Sequence, residues 1–213
     1  MDMEKLLKYK VWIFDLDGTL YNQTPVRIEM ALQLIAYYIC RPFKIRELLM
    51  LRQYRKIREK LYNAENPNFH QLQIKEMSRR YNMNVEKVMK IIDYWLINRP
   101  LSVIRRWRRS KVLSAIKLYQ ARGIEIIVYS DYPVSDKLKA LNVQPNYSYW
   151  SNDELIRCMK PNPKGLRNII KQFNLTPQEF LYIGDRDDRD GQCARQVGID
   201  YLDINDFEKF VEV

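Results

Sequence analysis

Seven aspartates crowd three short stretches of this 213-residue chain. Asp15 and Asp17 stand in DLDGTL with Gly18 and Thr19, directly after the apolar run VWIF. Asp131 follows Ser130 at the end of IEIIVYS, residues 124–130. Asp185, Asp187, Asp188 and Asp190 form GDRDDRD after the apolar FLYI. If these stretches meet in space, their carboxylates repel one another, and they need either a cation or raised pKa values. A hard divalent cation with oxygen ligands, Mg²⁺ above all, is the natural partner for such a set.

The elements that would bring the acids together are legible as alternating strands and helices. Lys10–Phe14, Ile124–Ser130, Asn146–Trp150, Phe180–Asp185 and Ile199–Asp203 read as strands. Helices are expected at Ser110–Arg122, Asp136–Leu141, Pro163–Phe173 and Gly191–Val197, with Gly123 and Gly198 as stops. Apolar strands separated by helices indicate an α/β fold, a Rossmann-like parallel sheet core. In such sheets ligands bind beyond the carboxyl ends of the strands, where these acids fall.

One stretch differs. No glycine lies between Tyr21 and Ser110, and this stretch carries 19 Lys and Arg against 7 Asp and Glu, a net of +12. The remainder carries 17 bases and 19 acids, so the overall +10 conceals a slightly acidic core and a basic insert. Helices are the state least in need of glycine. Four are expected: Pro25–Cys40 with Ile28, Leu32, Ile35 and Ile39 at helical spacing, Phe43–Leu61, Asn68–Tyr81 and Val85–Ile97. A turn is expected over Asn63–Asn68 and a break at Arg99-Pro100. The expected division is a core of residues 1–20 and 101–213 and an inserted α-helical cap domain of residues 21–100, with hinges near Tyr21–Thr24 and Ile97–Leu101.

Composition excludes several classes. An apolar fraction of 46% rules out wholesale disorder. Cys40, Cys158 and Cys193 are too scattered for a disulfide frame or zinc site and read as reduced thiols. No run reaches the roughly 18 apolar residues that span a bilayer. The first strand begins too early to leave room for a secretory signal, so a cytoplasmic protein is expected. His70, the single histidine, reads as structural, and its solitude excludes a multi-histidine metal site. The basic cluster Arg105–Arg109 reads as a solvated helix start or as a patch facing phosphate or a partner.

Four elements in order resemble the haloacid dehalogenase (HAD) superfamily hydrolases. DLDGTL, with Asp15 and Asp17, resembles the family's first motif. Ser130 after its strand resembles the second, Lys160 in KPNPKGL the third, and GDRDDRD the fourth. The helical insert is similar to the C1 cap of phosphoglycolate phosphatase-like members. The resemblance implies that Asp15 would attack phosphorus and form an aspartyl-phosphate, while Asp17 would protonate the leaving oxygen and later deprotonate water. Ser130 and Lys160 would bind phosphate, Lys160 being preferred to Lys164. Mg²⁺ would be held by Asp15, the Asp17 main-chain carbonyl and Asp185, with Asp190 behind them in preference to Asp188. Members that displace halide lack the second acid, so Asp17 favours phosphoryl transfer.

The expected function is thus a Mg²⁺-dependent phosphatase acting on a small phosphorylated metabolite. Three alternatives stay open: a binding protein using its basic cap on nucleic acid or an anionic surface, a phosphatase for nucleic-acid ends or a lipid phosphate, and a sugar phosphomutase. Asp131 reads equally as a helix cap or as part of the site's rim.

Overall fold

The computed structural model describes residues 6–61 and 69–211. Five parallel strands form the central sheet: β1 (Val11–Phe14), β2 (Glu125–Ser130), β3 (Tyr147–Trp150), β4 (Phe180–Gly184) and β5 (Asp200–Asp203). Their order is β3-β2-β1-β4-β5, so β1 is central, with Ile13 opposite Ile127 on one side and Tyr182 on the other. The parallel Rossmann-like sheet expected from the apolar runs is present.

The strands are buried on both faces, which is why they read as continuous apolar runs. Successive side chains point to opposite faces. Trp12, Phe14, Ile126, Val128, Leu181 and Ile183 enter one core, and Val11, Ile13, Ile127, Tyr129, Phe180 and Tyr182 the other. Phe207 anchors the first core edge-on to Trp12 and Phe14, with ring centroids 5.5 Å away in each case. The helices covering the sheet are α6 (Ser110–Ala121), α7 (Ser135–Leu141), α8 (Lys164–Ile170), α9 (Gln192–Gln196) and α10 (Ile204–Phe210).

Between β1 and α6 the described chain is helical: α1 (Gln23–Ile39), a 3₁₀ turn at Pro42–Lys44, α2 (Ile45–Leu61), α3 (Phe69–Tyr81), α4 (Val85–Ile92), a π turn at Asp93–Asn98, and α5 (Arg99–Arg106). The expected turn over Asn63–Asn68 lies outside the described residues. Two expectations are corrected. The chain does not break at Arg99-Pro100, because α4, the π turn and α5 run on without interruption from Val85 to Arg106. The Arg99 N–H bonds to the Tyr94 carbonyl, one residue further back than in an α-helix. This wider turn shifts the carbonyl ladder just where a proline ring would meet it, and Pro100 falls in the first turn of α5. The hinge expected near Ile97–Leu101 therefore lies inside continuous helix.

The second correction concerns Arg105–Arg109, which ends α5 as well as leading into α6, with Arg109 as the N-cap of α6. Arg106 and Trp107 both bond to Glu29, and Arg109 reaches Glu208 at 2.5 Å and Asn205 at 3.2 Å. These contacts tie the end of α5 to α1 and α10, while Arg105, Arg106, Trp107 and Arg108 stay exposed to solvent, as the solvated reading expected.

The first helix forms as its periodicity predicts, yet its apolar stripe points outward. Ile28, Leu32, Ile35 and Ile39 are each more than half exposed, and α1 buries Val26, Met30 and Tyr38 instead. Tyr38 and Tyr37 pack on Trp95 from the π turn. Aromatic packing against that turn decides which side of α1 faces inward. His70 is half-buried beside Tyr54, with its Nδ1 3.3 Å from the Tyr54 hydroxyl, in keeping with a structural role.

Candidate active site

The sheet's strand order reverses between β1 and β4, and the loops leaving these strands diverge to open a crevice. The main-chain N–H of Asp15 continues the ladder to Ile183, 2.9 Å away, which fixes the Asp15 backbone at the crevice floor. One Asp15 oxygen accepts from Lys160 Nζ at 2.5 Å, and the other from Thr19 Oγ1 at 3.2 Å. Lys160 Nζ also bonds to Asp190 Oδ1 at 2.6 Å, the Tyr129 carbonyl at 3.3 Å and the Tyr182 hydroxyl at 3.0 Å. Asp15, Lys160 and Asp190 are all buried.

The loop carrying Lys160 is clamped at both ends of that residue. Its N–H donates to Asp131 Oδ1 at 2.8 Å, and its carbonyl accepts from Arg189 Nε at 3.1 Å. Asp131 is thus neither a helix cap nor an open rim residue. It is a buried brace whose own carbonyl accepts from Ser151 Oγ at 2.7 Å. Ser130 lies buried at the end of β2, where its Oγ accepts from the Tyr132 N–H at 3.1 Å and keeps its hydroxyl proton for donation.

Electrostatics follow from this crowding. Burial works against the Lys160 charge, but Asp15 and Asp190 overrule it and hold its pKa well above the ordinary value. Burial raises the Asp15 pKa well above the usual carboxylate range, and Asp190, Asp185 and Asp17 add to the effect against the counterpull of Lys160. Burial and then Asp190 push Asp185 up to about 6. One lysine cannot neutralise three acids, so the cluster retains a demand for positive charge or protons.

Asp15, Asp185 and Asp190 offer carboxylate oxygens that lie within 4.8 Å of one another. This hard, all-oxygen donor set fits a divalent cation of the Mg²⁺ type. Gly18 makes the arrangement possible. Its φ is +107°, and a Cβ there would stand 2.0 Å from Asp185 Oδ2. Asp190, not Asp188, belongs to the cluster: Asp188 is exposed and pairs with Arg186 at 2.7 Å.

Asp17 faces elsewhere. Its Oδ1 accepts from the Tyr21 hydroxyl and from Lys137 Nζ, the latter at 2.5 Å. Asp15, Lys160, Asp185 and Asp190 therefore form one cluster, while the Asp17 carboxylate and the Ser130 hydroxyl contact other partners. Sequence reasoning missed Tyr182, Lys137 and Arg58 near the site. Tyr21, four residues after Asp17, carried a local signal of a kind; the others carried none.

A buried carboxylate directly after the central parallel strand, a lysine beside it and acids at the next strand end make up the site. The chain belongs to the haloacid dehalogenase-like hydrolases, whose family profile matches residues 9–198. It is 28% identical over 107 residues to a protein of Thermoplasma acidophilum named "Probable D-glycero-D-manno-heptose-1,7-bisphosphate 7-phosphatase", covering 40% of this chain and 67% of that one. Its fold is similar to that of a 2-haloacid dehalogenase from Pseudomonas syringae, with TM-score 0.64, 14% identity and coverage of 91% and 85% of the two chains. It is also similar to a HAD phosphatase from Thermococcus onnurineus, with TM-score 0.52, 14% identity and coverage of 90% and 84%. Among the described residues no helix is long and apolar enough to cross a membrane.

Proposed function

We propose that this hydrolase is a Mg²⁺-dependent phosphatase that acts on a small phosphorylated metabolite in the cytoplasm through an aspartyl-phosphate. The observation that carries the reading is the separation of the two acids of DLDGTL. Asp15 is bound into the lysine-and-acid cluster, while Asp17, two residues on, turns its carboxylate to Tyr21 and Lys137. Phosphate ester hydrolysis needs a nucleophile and a separate proton carrier, and this arrangement supplies both. Halide departs without a proton, so an acid in the place of Asp17 has no task in dehalogenation.

In this reading an Asp15 oxygen forms the bond to phosphorus in line with the departing ester oxygen. Asp17 gives that oxygen a proton and then takes one from the water that cleaves the aspartyl-phosphate. Lys160 aligns Asp15 and, with the Ser130 hydroxyl, holds phosphoryl oxygens in place. Asp15, the Asp17 main-chain carbonyl and Asp185, with Asp190 behind them, would hold Mg²⁺, which would supply charge to offset carboxylate–phosphate repulsion. Residues 21–100 act as the cap that shields the crevice of the core, residues 1–20 and 101–213.

Hydrolysis of 4-nitrophenyl phosphate with Mg²⁺ tests the reading. The wild type turns over and Asp15→Asn loses at least about a thousandfold in kcat, on the scale of losing a covalent nucleophile. Equal rates for the two proteins overturn it.

A further inference from the structure

The outward stripe of α1 is covered by nothing among the described residues. Between Ile28 and Cys40 every exposed side chain is an isoleucine, a leucine, an alanine or the Cys40 thiol. At 1.5 Å per residue this face runs along about 18 Å of helix. Phe43, 78% exposed, then carries the apolar surface past the 3₁₀ turn to Ile45 and Leu49 on α2, which are also exposed. The other side of α1 is apolar too, since it buries Val26, Met30 and Tyr38 within the insert. A helix that is apolar all round belongs in a place where it is buried all round, and a contiguous exposed apolar face marks a docking surface.

Charge selects the partner. Residues 23–49 hold four bases, Arg27, Arg41, Lys44 and Arg46, and two acids. Both acids are engaged inside the insert and its return helix, Glu29 by Arg106 at 2.7 Å and Glu47 by Lys87 at 3.3 Å. Among the described residues no acid pairs with Arg41, Lys44 or Arg46. Arg41 and Lys44 lie instead over the neutral Tyr37 ring, 4.3 Å and 5.7 Å from its centre, on either side of Phe43 in sequence. Two copies of the chain meeting through this face would set the net +12 of one against the net +12 of the other. An anionic partner meets no such opposition.

We infer that this protein docks on anionic lipid bilayer surfaces through α1 and the 3₁₀ turn that follows it. The stripe and Phe43 enter the boundary between headgroups and acyl chains, and Arg41, Lys44 and Arg46 meet lipid phosphates. From Ile28 to Ile39 the exposed face offers no hydrogen-bonding side chain, which suits acyl chains better than a protein surface. Tyr37 and Tyr38 hold the inner side of α1 on Trp95, so the helix lies along the bilayer and stays with the insert.

Sedimentation of the full chain with vesicles tests this, using phosphatidylcholine alone and phosphatidylcholine with about one-third phosphatidylglycerol, a strongly anionic surface. The chain is expected to sediment with the anionic vesicles, to leave them as salt rises, and to bind phosphatidylcholine at least about tenfold more weakly. Leu32→Gln combined with Ile35→Gln lowers the partition coefficient by about tenfold or more, the scale of withholding two aliphatic side chains from hydrocarbon. Arg41→Gln and Lys44→Gln each lower it about fivefold. Thermal unfolding verifies the fold of each variant. Cys40 is the exposed thiol, Cys158 and Cys193 being buried, so nitrobenzoxadiazole attached to the folded wild-type chain reports from the end of the stripe. Its emission shifts to shorter wavelengths on the anionic vesicles, a readout that needs no substitution. Absence of binding to those vesicles, or an unshifted label on bound protein, overturns the inference. Binding that the Leu32 and Ile35 substitutions leave at the wild-type level also overturns it, because contact then lies elsewhere. A dimer in analytical ultracentrifugation that the same substitutions dissociate overturns it in favour of a second copy.

Discussion

The ammonium of Lys160 lies 2.5 Å from the carboxylate of Asp15, a residue 145 positions away in sequence, and both side chains are almost wholly buried. The same ammonium holds Asp190 at 2.6 Å, so one cation ties the ends of β1 and β4 together. Removing one member of a buried ionic group leaves its partners uncompensated. Lys160→Met is expected to lower stability by about 3 kcal/mol or more by this argument. Adding Asp190→Asn should return part of the loss. Urea unfolding of both variants measures the two effects, and a Lys160→Met protein as stable as the wild type would refute them.

Gly18 controls the place of Asp185. An alanine there meets two obstacles, a φ of +107° and a contact of 2.0 Å with Asp185 Oδ2. Gly18→Ala is expected to cost on the order of 1–3 kcal/mol in backbone strain. It should also weaken Mg²⁺ binding, because Asp185 must move. Calorimetric titration with Mg²⁺ reads the second effect separately from the first.

Glu179 sets a pH dependence away from the site. It pairs with Lys10 at 2.7 Å and accepts from the Thr176 N–H, also at 2.7 Å. The hydrogen bond from Lys10, then that from Thr176, lowers its pKa to about 2. A lowered folded-state pKa stabilises the protein above the unfolded value and loses that contribution as pH falls. Between the ordinary glutamate range and pH 2 the wild type should therefore lose stability that Glu179→Gln never had. Unfolding midpoints of both proteins at pH 6 and pH 3 should differ more for the wild type.

The three cysteines should separate by reactivity. Cys40 is exposed, and Cys158 and Cys193 are buried. Burial pushes the Cys193 thiol up to about 12, which removes its thiolate at neutral pH. A disulfide-exchange reagent at pH 8 should titrate one thiol quickly and the other two only after unfolding. Rapid reaction of all three would show that α9 opens readily.

The chemistry of the site was written locally, and so were the elements that carry it. VWIF before Asp15 and FLYI before Asp185 are apolar enough to be buried on both faces, and an acid at the end of such a run marks the edge of the sheet. The repulsion among those acids needs no coordinates to foresee. What could not be read was which faces would meet. Ile28, Leu32, Ile35 and Ile39 announce a helix by their spacing, but aromatic packing against Trp95 turns that stripe outward. GDRDDRD contains four acids of the same kind, and only the resemblance favoured Asp185 and Asp190; the fold buries Asp190 beside Lys160 and half-buries Asp185, while Asp187 and Asp188 pair with exposed arginines. Pro100 looked like a stop, and a π turn carried the helix through it. Lys137 and Arg58 reach the site from helices that hold no motif. Strand, turn and helix preferences act over a few residues, so they leave a pattern in the chain. Pairing between distant side chains depends on the packed layers that bring them together, and only the folded sheet and its helices settle it.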